Sequence, residues 1–173
     1  MTCLWGRGDT GWGVGGDRRR TPNRQCAGVD TIAGMTASAH GATVLVYSNS
    51  AEVRAQVRTA VGRRPAPDTG RVEWVECATN AQVVEQLDEG GLDLVIVDGE
   101  AQPTGGMGLA RQFKYEIDDC PPIVVLIARP QDAWLASWSL ADAVIHMPLD
   151  PIEAAEVVAE QIRRRTHGIP VVR

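Results

Sequence analysis

The feature that most constrains the fold is a regular alternation of short apolar runs with segments of helical spacing, which begins at residue 42. The strand-like runs are 42–48, 71–78, 92–98, 123–128 and 141–147. The segments of helical spacing that follow them are 50–62, 80–91, 108–117, 132–140 and 151–165. This order predicts five strands, each followed by a helix.

An alternation of this kind favours a parallel sheet, because each pair of parallel strands needs a crossover connection and right-handed crossovers can cover both faces. Residues 44–47, 94–97 and 123–128 read VLVY, LVIV and IVVLIA. Such wholly apolar runs are typical of strands that are covered on both sides. The sequence therefore predicts an α/β fold with a doubly wound, five-stranded parallel sheet of flavodoxin-like type.

Residues 1–40 have a different composition from the rest of the chain. They hold eight of the eighteen glycines and three consecutive arginines at 18–20, and they lack apolar periodicity. We expect this extension to be disordered, because it cannot bury enough apolar surface to offset its ordering entropy. Alternatively, it is an upstream region and Met35 is the natural start. The predicted domain spans 41–166, and the short tail 167–173 could add a strand to a partner or lie free.

Charge and composition exclude several classes of function. Residues 41–173 carry twelve basic against nineteen acidic groups, which argues against binding nucleic acid through phosphate neutralisation. No stretch approaches the roughly 20 apolar residues of a membrane span, and no secretory signal pattern is present at the N-terminus. We expect a cytoplasmic protein that does not insert into the membrane.

The four cysteines have no paired spacing of the zinc or redox kind, so no disulfide framework is implied. In a reducing compartment, Cys77 and Cys120 are predicted to be small buried hydrophobic residues. Cys3 and Cys26 fall in the extension.

Ligands of doubly wound sheets bind beyond the carboxyl ends of the strands, so the residues that follow each strand are the candidate site. Ser48 and Asn49 follow the first predicted strand, and Asp98 ends the third. Ile127 and Ala128 come at the end of the fourth, and His146, Met147 and Pro148 come at the end of the fifth.

From 42 to about 165, the chain resembles the receiver domain (CheY-like) of two-component response regulators. VLVYSNSAEVR stands where receivers have their first strand, an acidic pair and their first helix, and LVIVDGEAQP stands where they carry the phosphoacceptor aspartate. PPIVVLIAR and ADAVIHMPLD are similar to the fourth and fifth strands of receivers. The resemblance implies that Asp98 is the phosphoacceptor equivalent and that Pro148 is the family proline that commonly follows a cis peptide.

The chain departs from the receiver pattern at the positions that support phosphorylation. Ser48 and Asn49 replace the two acids that hold Mg²⁺, Ile127 replaces a Ser or Thr, and Met147 replaces a Lys. Losing one preorganised contact of a transition state typically costs about 10²–10³ in rate. We therefore expect a pseudo-receiver that is not an enzyme and has no cofactor, with Asp98 as a relic or a local hydrogen-bond acceptor.

The remaining motifs near this edge favour structural roles. Asn49 with Glu52 matches a capping box for the first helix. Gly105, Gly106 and Gly108 do not follow a strand in the dinucleotide-binding pattern, and we expect them to loosen the start of the third helix.

A surface for partner proteins is predicted around the fourth helix. Trp134 and Trp138 are four residues apart, so they lie on one side of a helix. With His146, they would mark the face of helix four, strand five and helix five, by which receivers usually dock. The alternatives are that both tryptophans pack under the helix and that His146 is structural.

Two functions remain open at this stage. One is a phosphorylation-independent interaction module or accessory subunit. The other is a working single-domain response regulator that binds Mg²⁺ and accepts phosphate on Asp98 from a histidine kinase. The chain also resembles an orphan receiver-like group of mycobacteria that is associated with the respiratory NADH:quinone oxidoreductase, complex I. That resemblance implies a protein partner at the cytoplasmic side of a membrane assembly.

Overall fold

The computed structural model describes residues 41–168. The predictions made for residues 1–40, namely disorder, a start at Met35 and the surroundings of Cys3 and Cys26, lie outside the described residues. The same holds for the tail from residue 169 onward.

Five strands alternate with five α-helices in the described part of the chain. The strands are β1 (Ala42–Tyr47), β2 (Val72–Cys77), β3 (Leu94–Asp98), β4 (Ile123–Ile127) and β5 (Ala143–His146). The helices are α1 (Ala51–Val61), α2 (Asn80–Glu89), α3 (Gly106–Glu116), α4 (Ala133–Trp138) and α5 (Pro151–Thr166), with a 3₁₀ turn at Pro130–Asp132.

The strands form one parallel sheet in the order β2-β1-β3-β4-β5. Every residue of β3 and β4 is buried. Alternate strand residues pack into two hydrophobic clusters, one on each face: Leu45, Val95 and Val125 belong to the first cluster, and Val44, Ile96 and Leu126 to the second. The predicted doubly wound sheet, with helices on both faces, is confirmed.

Two helices begin where a side chain satisfies the first backbone N–H groups. Ser50 is the N-cap of α1 and accepts from the Val53 N–H, so the predicted capping box of Asn49 and Glu52 is wrong by one residue. Thr79 and Gln82 form a complete capping box at α2, which the sequence analysis did not identify.

The fourth helix is shorter than predicted. Instead of one helix over 132–140, the chain makes the 3₁₀ turn and then a six-residue α4. Asp132 gives α4 no side-chain cap, and Leu140 adopts a φ of 60°. A left-handed residue of this kind stops the helix.

A buried ion pair joins α3 to the amino edge of the sheet. Lys114, the single lysine of the chain, lies 2.6 Å from Asp142, and both side chains are almost fully buried. Asp142 also accepts the Ile123 N–H at 2.7 Å, which fixes the start of β4 beside the start of β5. The positive charge of Lys114 is therefore held at the edge opposite Asp98.

Cys77 and Cys120 are buried and free, as predicted. Among residues 41–168, the structure contains no helix that is long and apolar enough to cross a membrane.

Candidate functional site: the Asp98 edge of the sheet

Asp98 is the last residue of the central strand β3, and both of its carboxylate oxygens accept hydrogen bonds from this chain. Oδ1 accepts the Glu100 N–H at 2.9 Å, so the carboxylate closes the turn that follows the strand. Oδ2 accepts the Ser48 hydroxyl at 2.7 Å. The residue is 9% exposed, and little of it is open to solvent.

Ser48 is fully buried at the end of the neighbouring strand β1. Its hydroxyl oxygen accepts the Ser50 N–H at 3.1 Å, and its carbonyl oxygen accepts from the Arg54 guanidinium. A hydroxyl has one proton to donate, and Ser48 donates it to Asp98. At the position where the receiver resemblance implies an acid, this chain therefore has a hydrogen-bond donor to Asp98.

Two further hydrogen bonds tie the end of β1 to the loop between β3 and α3, residues 99–105. The Tyr47 hydroxyl donates to the Thr104 carbonyl at 3.0 Å. The Asn49 side-chain oxygen accepts the Gln102 N–H at 3.2 Å. Burial and, to a lesser extent, the nearby Asp98 charge raise the pKa of Tyr47. Asn49 thus acts as a loop tether and not as a helix cap.

The glycines after Asp98 permit close packing. A Cβ atom on Gly106 would lie 2.5 Å from the Asp98 carbonyl oxygen, and one on Gly99 would lie 2.7 Å from the Leu126 carbonyl oxygen. Helix α3 begins at Gly106 with Gly105 as its N-cap. The missing side chain of Gly106 lets α3 start directly against β3.

Ile127 ends β4, and Met147 directly follows β5. Ile127 is fully buried, and its carbonyl oxygen accepts the Met147 N–H at 2.8 Å. Neither side chain carries a strong hydrogen-bond donor. Val144 of β5 is partly buried against the core. Pro148 follows a cis peptide bond, as the receiver resemblance implied, and Pro103 follows another.

The residues at this edge do not fit a magnesium ion. Mg²⁺ requires near-octahedral oxygen coordination, usually from carboxylates, carbonyls and water. Of Ser48, Asn49 and Asp98, only Asp98 supplies a carboxylate: Ser48 points its hydroxyl proton at Asp98, and Asn49 offers a neutral amide oxygen that already accepts the Gln102 N–H. In residues 41–168, no group of three or more His, Cys, Asp or Glu could hold a metal ion.

The two tryptophans of α4 are on the surface. Trp134 is 66% exposed and Trp138 is 51% exposed, so the alternative that both pack under the helix is wrong. The Arg111 guanidinium of α3 lies 4.2 Å from the centre of the Trp138 ring and 5.2 Å from that of Tyr115. Arg111 also donates to the Trp138 carbonyl oxygen. We call Arg111, Tyr115, Trp134 and Trp138 the aromatic patch.

His146 is not part of this arrangement. Its side chain is half-exposed at the end of β5, and Nδ1 lies 3.6 Å from a Glu153 oxygen on α5. The side chain that packs on the Trp138 ring, by contrast, is Arg111 of α3. Arg111 and Tyr115 were missed in the sequence, although their spacing of four residues on a predicted helix places them on one face.

The chain was compared with known proteins. No protein-family model matches it. Two curated proteins, from Mycobacterium tuberculosis strains CDC 1551 / Oshkosh and H37Rv, are each 47% identical to it over 133 residues, which is 77% of this chain and 100% of theirs. Both are described as uncharacterized response regulatory proteins. The chain belongs to the response regulator receiver family.

Solved receiver structures share the fold of this family member at low sequence identity. A receiver domain protein from Clostridium thermocellum matches with a TM-score of 0.61 and 17% identity, covering 74% of this chain and 99% of that one. A CheY-like receiver from Methanospirillum hungatei JF-1 matches with a TM-score of 0.58 and 14% identity, covering 75% of this chain and 99% of that one. The response regulator TrrA from Thermotoga maritima was solved with Mg²⁺ and BeF. It matches with a TM-score of 0.57 and 21% identity, covering 69% of this chain and 98% of that one.

Proposed function

We propose that this receiver domain works as a phosphorylation-independent interaction module, an accessory subunit that docks on a larger protein assembly. The observation that carries the proposal is the pair of hydrogen bonds on Asp98, from the Ser48 hydroxyl and the Glu100 N–H. Each oxygen of Asp98 already shares one lone pair with a donor of this chain, and that hydrogen bond makes the oxygen a weaker nucleophile than a free carboxylate oxygen.

The side chains around Asp98 do not compensate for this. The guanidinium groups of Arg54 and Arg129 reach Ser48 and Glu100 at this edge, but they are paired with Glu76 and with Glu100 and Asp132. Phosphoryl transfer depends on positioning and on positive charge at the moving group. The chain's single lysine is buried against Asp142 at the other edge of the sheet, and Ile127 and Met147 have no charge to contribute. Each missing contact typically lowers the rate by about 10²–10³.

The tethered loop supports a surface that stays in one state. Here the loop 99–105 is held to β1 through Tyr47 and Asn49, and Asp98 is held by Ser48. A partner therefore meets the same conformation at all times.

The docking surface in this proposal is the aromatic patch. Tyr115 is 69% exposed, and Arg111 lies over its ring and over that of Trp138. Trp134, one helical turn before Trp138 on α4, adds a third exposed aromatic side chain. Tryptophan, tyrosine and arginine are the residues most enriched among interface hot spots. The proposed surface thus extends from the predicted face of helix four, strand five and helix five toward α3.

For the partner, we propose the cytoplasmic side of respiratory complex I. The support is the resemblance to the mycobacterial orphan group, together with 47% identity to the two M. tuberculosis proteins. The excess of acidic groups in residues 41–173 argues against nucleic acid as the partner.

Affinity capture with variants tests the module. Tagged protein expressed in its own cells should recover NADH:quinone oxidoreductase activity, and Trp138→Glu should abolish that recovery while Asp98→Asn retains it. Val84→Glu, on an exposed apolar residue of α2, is the matched control and should also retain it.

Ile152→Glu tests whether the interface reaches α5. Loss of the partner with Asp98→Asn and not with Trp138→Glu would refute the proposal.

A working receiver is the second candidate, favoured by the position of Asp98 at the end of the central strand and by the description of the relatives. TrrA was solved with Mg²⁺ and BeF, so the same reagents test this chain. Mg²⁺ with beryllofluoride should leave the amide spectrum around Asp98 unchanged. Saturable shifts that vanish in Asp98→Asn would establish the switch instead.

A further inference from the structure

A cavity of about 460 Å³ lies beside the outer strand β2, far in sequence from the aromatic patch and from Asp98. Arg58 of α1 and Arg63 of the following loop form one side of it. The other side is formed by residues 71–74 and Glu76. Successive residues of a strand point to opposite faces. A cavity lined by the three consecutive β2 residues 72–74 therefore lies along the edge of the strand and not over one face.

The backbone at this edge is open. Within residues 41–168, β2 pairs with β1 alone. The carbonyl groups of Arg71 and Cys77 accept the N–H groups of Ala42 and Ser48, so the backbone groups of the intervening even-numbered residues point away from β1. The Val72 N–H donates to the Arg63 carbonyl. The outward groups of Trp74 and Glu76 remain available to an added strand.

The charges around the cavity favour an acidic occupant. Glu76 is already paired with Arg54 and Arg58, and these pairs lower its pKa. The guanidinium groups of Arg63 and Arg71 have no ion-pair partner in the described part of the chain. Apart from the pair of Glu76 with Arg58, the cavity lining therefore carries two positive charges, on Arg63 and Arg71, and one negative charge, on Glu73. The domain as a whole carries an excess of acidic groups. Arginine binds carboxylates in bidentate geometry.

Trp74 adds a surface for side-chain packing. Its ring lines the cavity and is partly buried against the second core cluster. An indole that is fixed on one side and accessible on the other is a typical anchor of an interface.

The charges also exclude the occupants that this chain itself could supply. Residues 1–40 carry five arginines against three acids, and residues 169–173 carry one arginine and no acid. A second copy that paired along its own β2 would bring a second set of the same arginines to the same place.

We propose that the open edge of β2 is a second interaction site, which binds an extended acidic segment of a partner protein as a sixth strand of the sheet. The main chain of the segment pairs with Trp74 and Glu76, and its carboxylates contact Arg63 and Arg71. This site is independent of the aromatic patch, so its test succeeds or fails separately from that of the proposed function.

The test uses the full chain, ¹⁵N-labelled, and a blocked heptapeptide of alternating glutamate and valine. Titration to about 1 mM, a weak but specific range, should shift the Trp74 and Glu76 amides and the side-chain signals of Arg63 and Arg71. The same peptide with N-methyl groups on alternate amides keeps its charge but cannot pair, and it should bind at least about tenfold more weakly. A lysine–valine peptide should not bind.

The double variant Arg63→Glu/Arg71→Glu should weaken binding of the glutamate peptide at least about tenfold and allow the lysine–valine peptide to bind. Arg64→Glu, at an exposed arginine that does not line the cavity, is the matched control and should bind like the native chain. Unshifted Trp74 and Glu76 amides, equal binding of the N-methylated peptide, displacement by inorganic phosphate, or self-association through β2 would each overturn the proposal.

Discussion

The Ser48 hydroxyl donates to Asp98 Oδ2 at 2.7 Å across the carboxyl ends of two neighbouring parallel strands. Receivers have an acid at the position of Ser48, and this acid helps to hold Mg²⁺ beside the aspartate that corresponds to Asp98. In this chain the two side chains satisfy each other, and a metal ion is not needed to keep them together.

Restoring the acids should make the fold depend on magnesium. In Ser48→Asp/Asn49→Asp, the buried hydrogen bond is replaced by like charges, which should lower the free energy of unfolding by about 1–3 kcal/mol without metal. Adding Mg²⁺ should then raise the melting temperature of the variant. The melting temperature of the native chain should be the same with and without Mg²⁺. An equal rise of the melting temperature in both proteins would show that the native edge already binds Mg²⁺.

The buried pair of Lys114 and Asp142 should contribute strongly to stability. Lys114→Met leaves the Asp142 charge buried without its lysine and should lower the free energy of unfolding by about 3–5 kcal/mol in urea denaturation. Adding Asp142→Asn should recover part of this loss, because the amide oxygen still accepts the Ile123 N–H without a charge. A loss below about 1 kcal/mol, typical of exposed pairs, would show that the pair is solvated.

The exposed pair of Asp68 and Arg163 should be visible in an acid titration. The bidentate hydrogen bonds from Arg163 lower the pKa of Asp68 from 3.8 to about 2. Because the folded pKa is the lower one, the stabilisation is complete above pH 3.8 and is lost as the pH falls toward 2. NMR of the carboxyl carbon should show this midpoint. Arg163→Ala should return it toward 3.8, whereas Arg165→Ala, whose partner is Asp119, should not.

Thiol labelling should separate the buried cysteines from an ordinary thiol. Burial raises the pKa of both Cys77 and Cys120 to about 11. At pH 8, only about one thiol in a thousand is then the reactive thiolate. Peptide mapping after iodoacetamide treatment should find both positions nearly unlabelled in the native protein and fully labelled in urea. Rapid labelling of either in the native state would place it at the surface.

The sheet could be predicted from the sequence because its signals are local. The runs at 44–47, 94–97 and 123–128 have the apolar continuity that only doubly covered strands need, and the described strands coincide with them to within two residues. The first helix was misassigned at its cap, because Asn49 and Ser50 are both good caps and the choice depends on the contact of Asn49 with Gln102, 53 residues away.

The sequence predicted which residues lie at the candidate site, but it did not predict the hydrogen bonds between them. Asp98, Ser48 and Asn49 were expected at one edge, since the carboxyl ends of parallel strands meet there. The hydrogen bond of Ser48 to Asp98 depends on rotamers that sequence patterns do not specify. The pair of Lys114 and Asp142 was missed because its members are 28 residues apart, although a lysine beside Phe113 on an apolar helix face was a signal.

The Ser48–Asp98 bond also limits which single substitutions this edge of the sheet can accept. An acid placed at position 48 alone would lie against Asp98 in a buried place, without the proton that Ser48 now donates. A cation-binding edge could therefore be built from this sequence only by several substitutions made together.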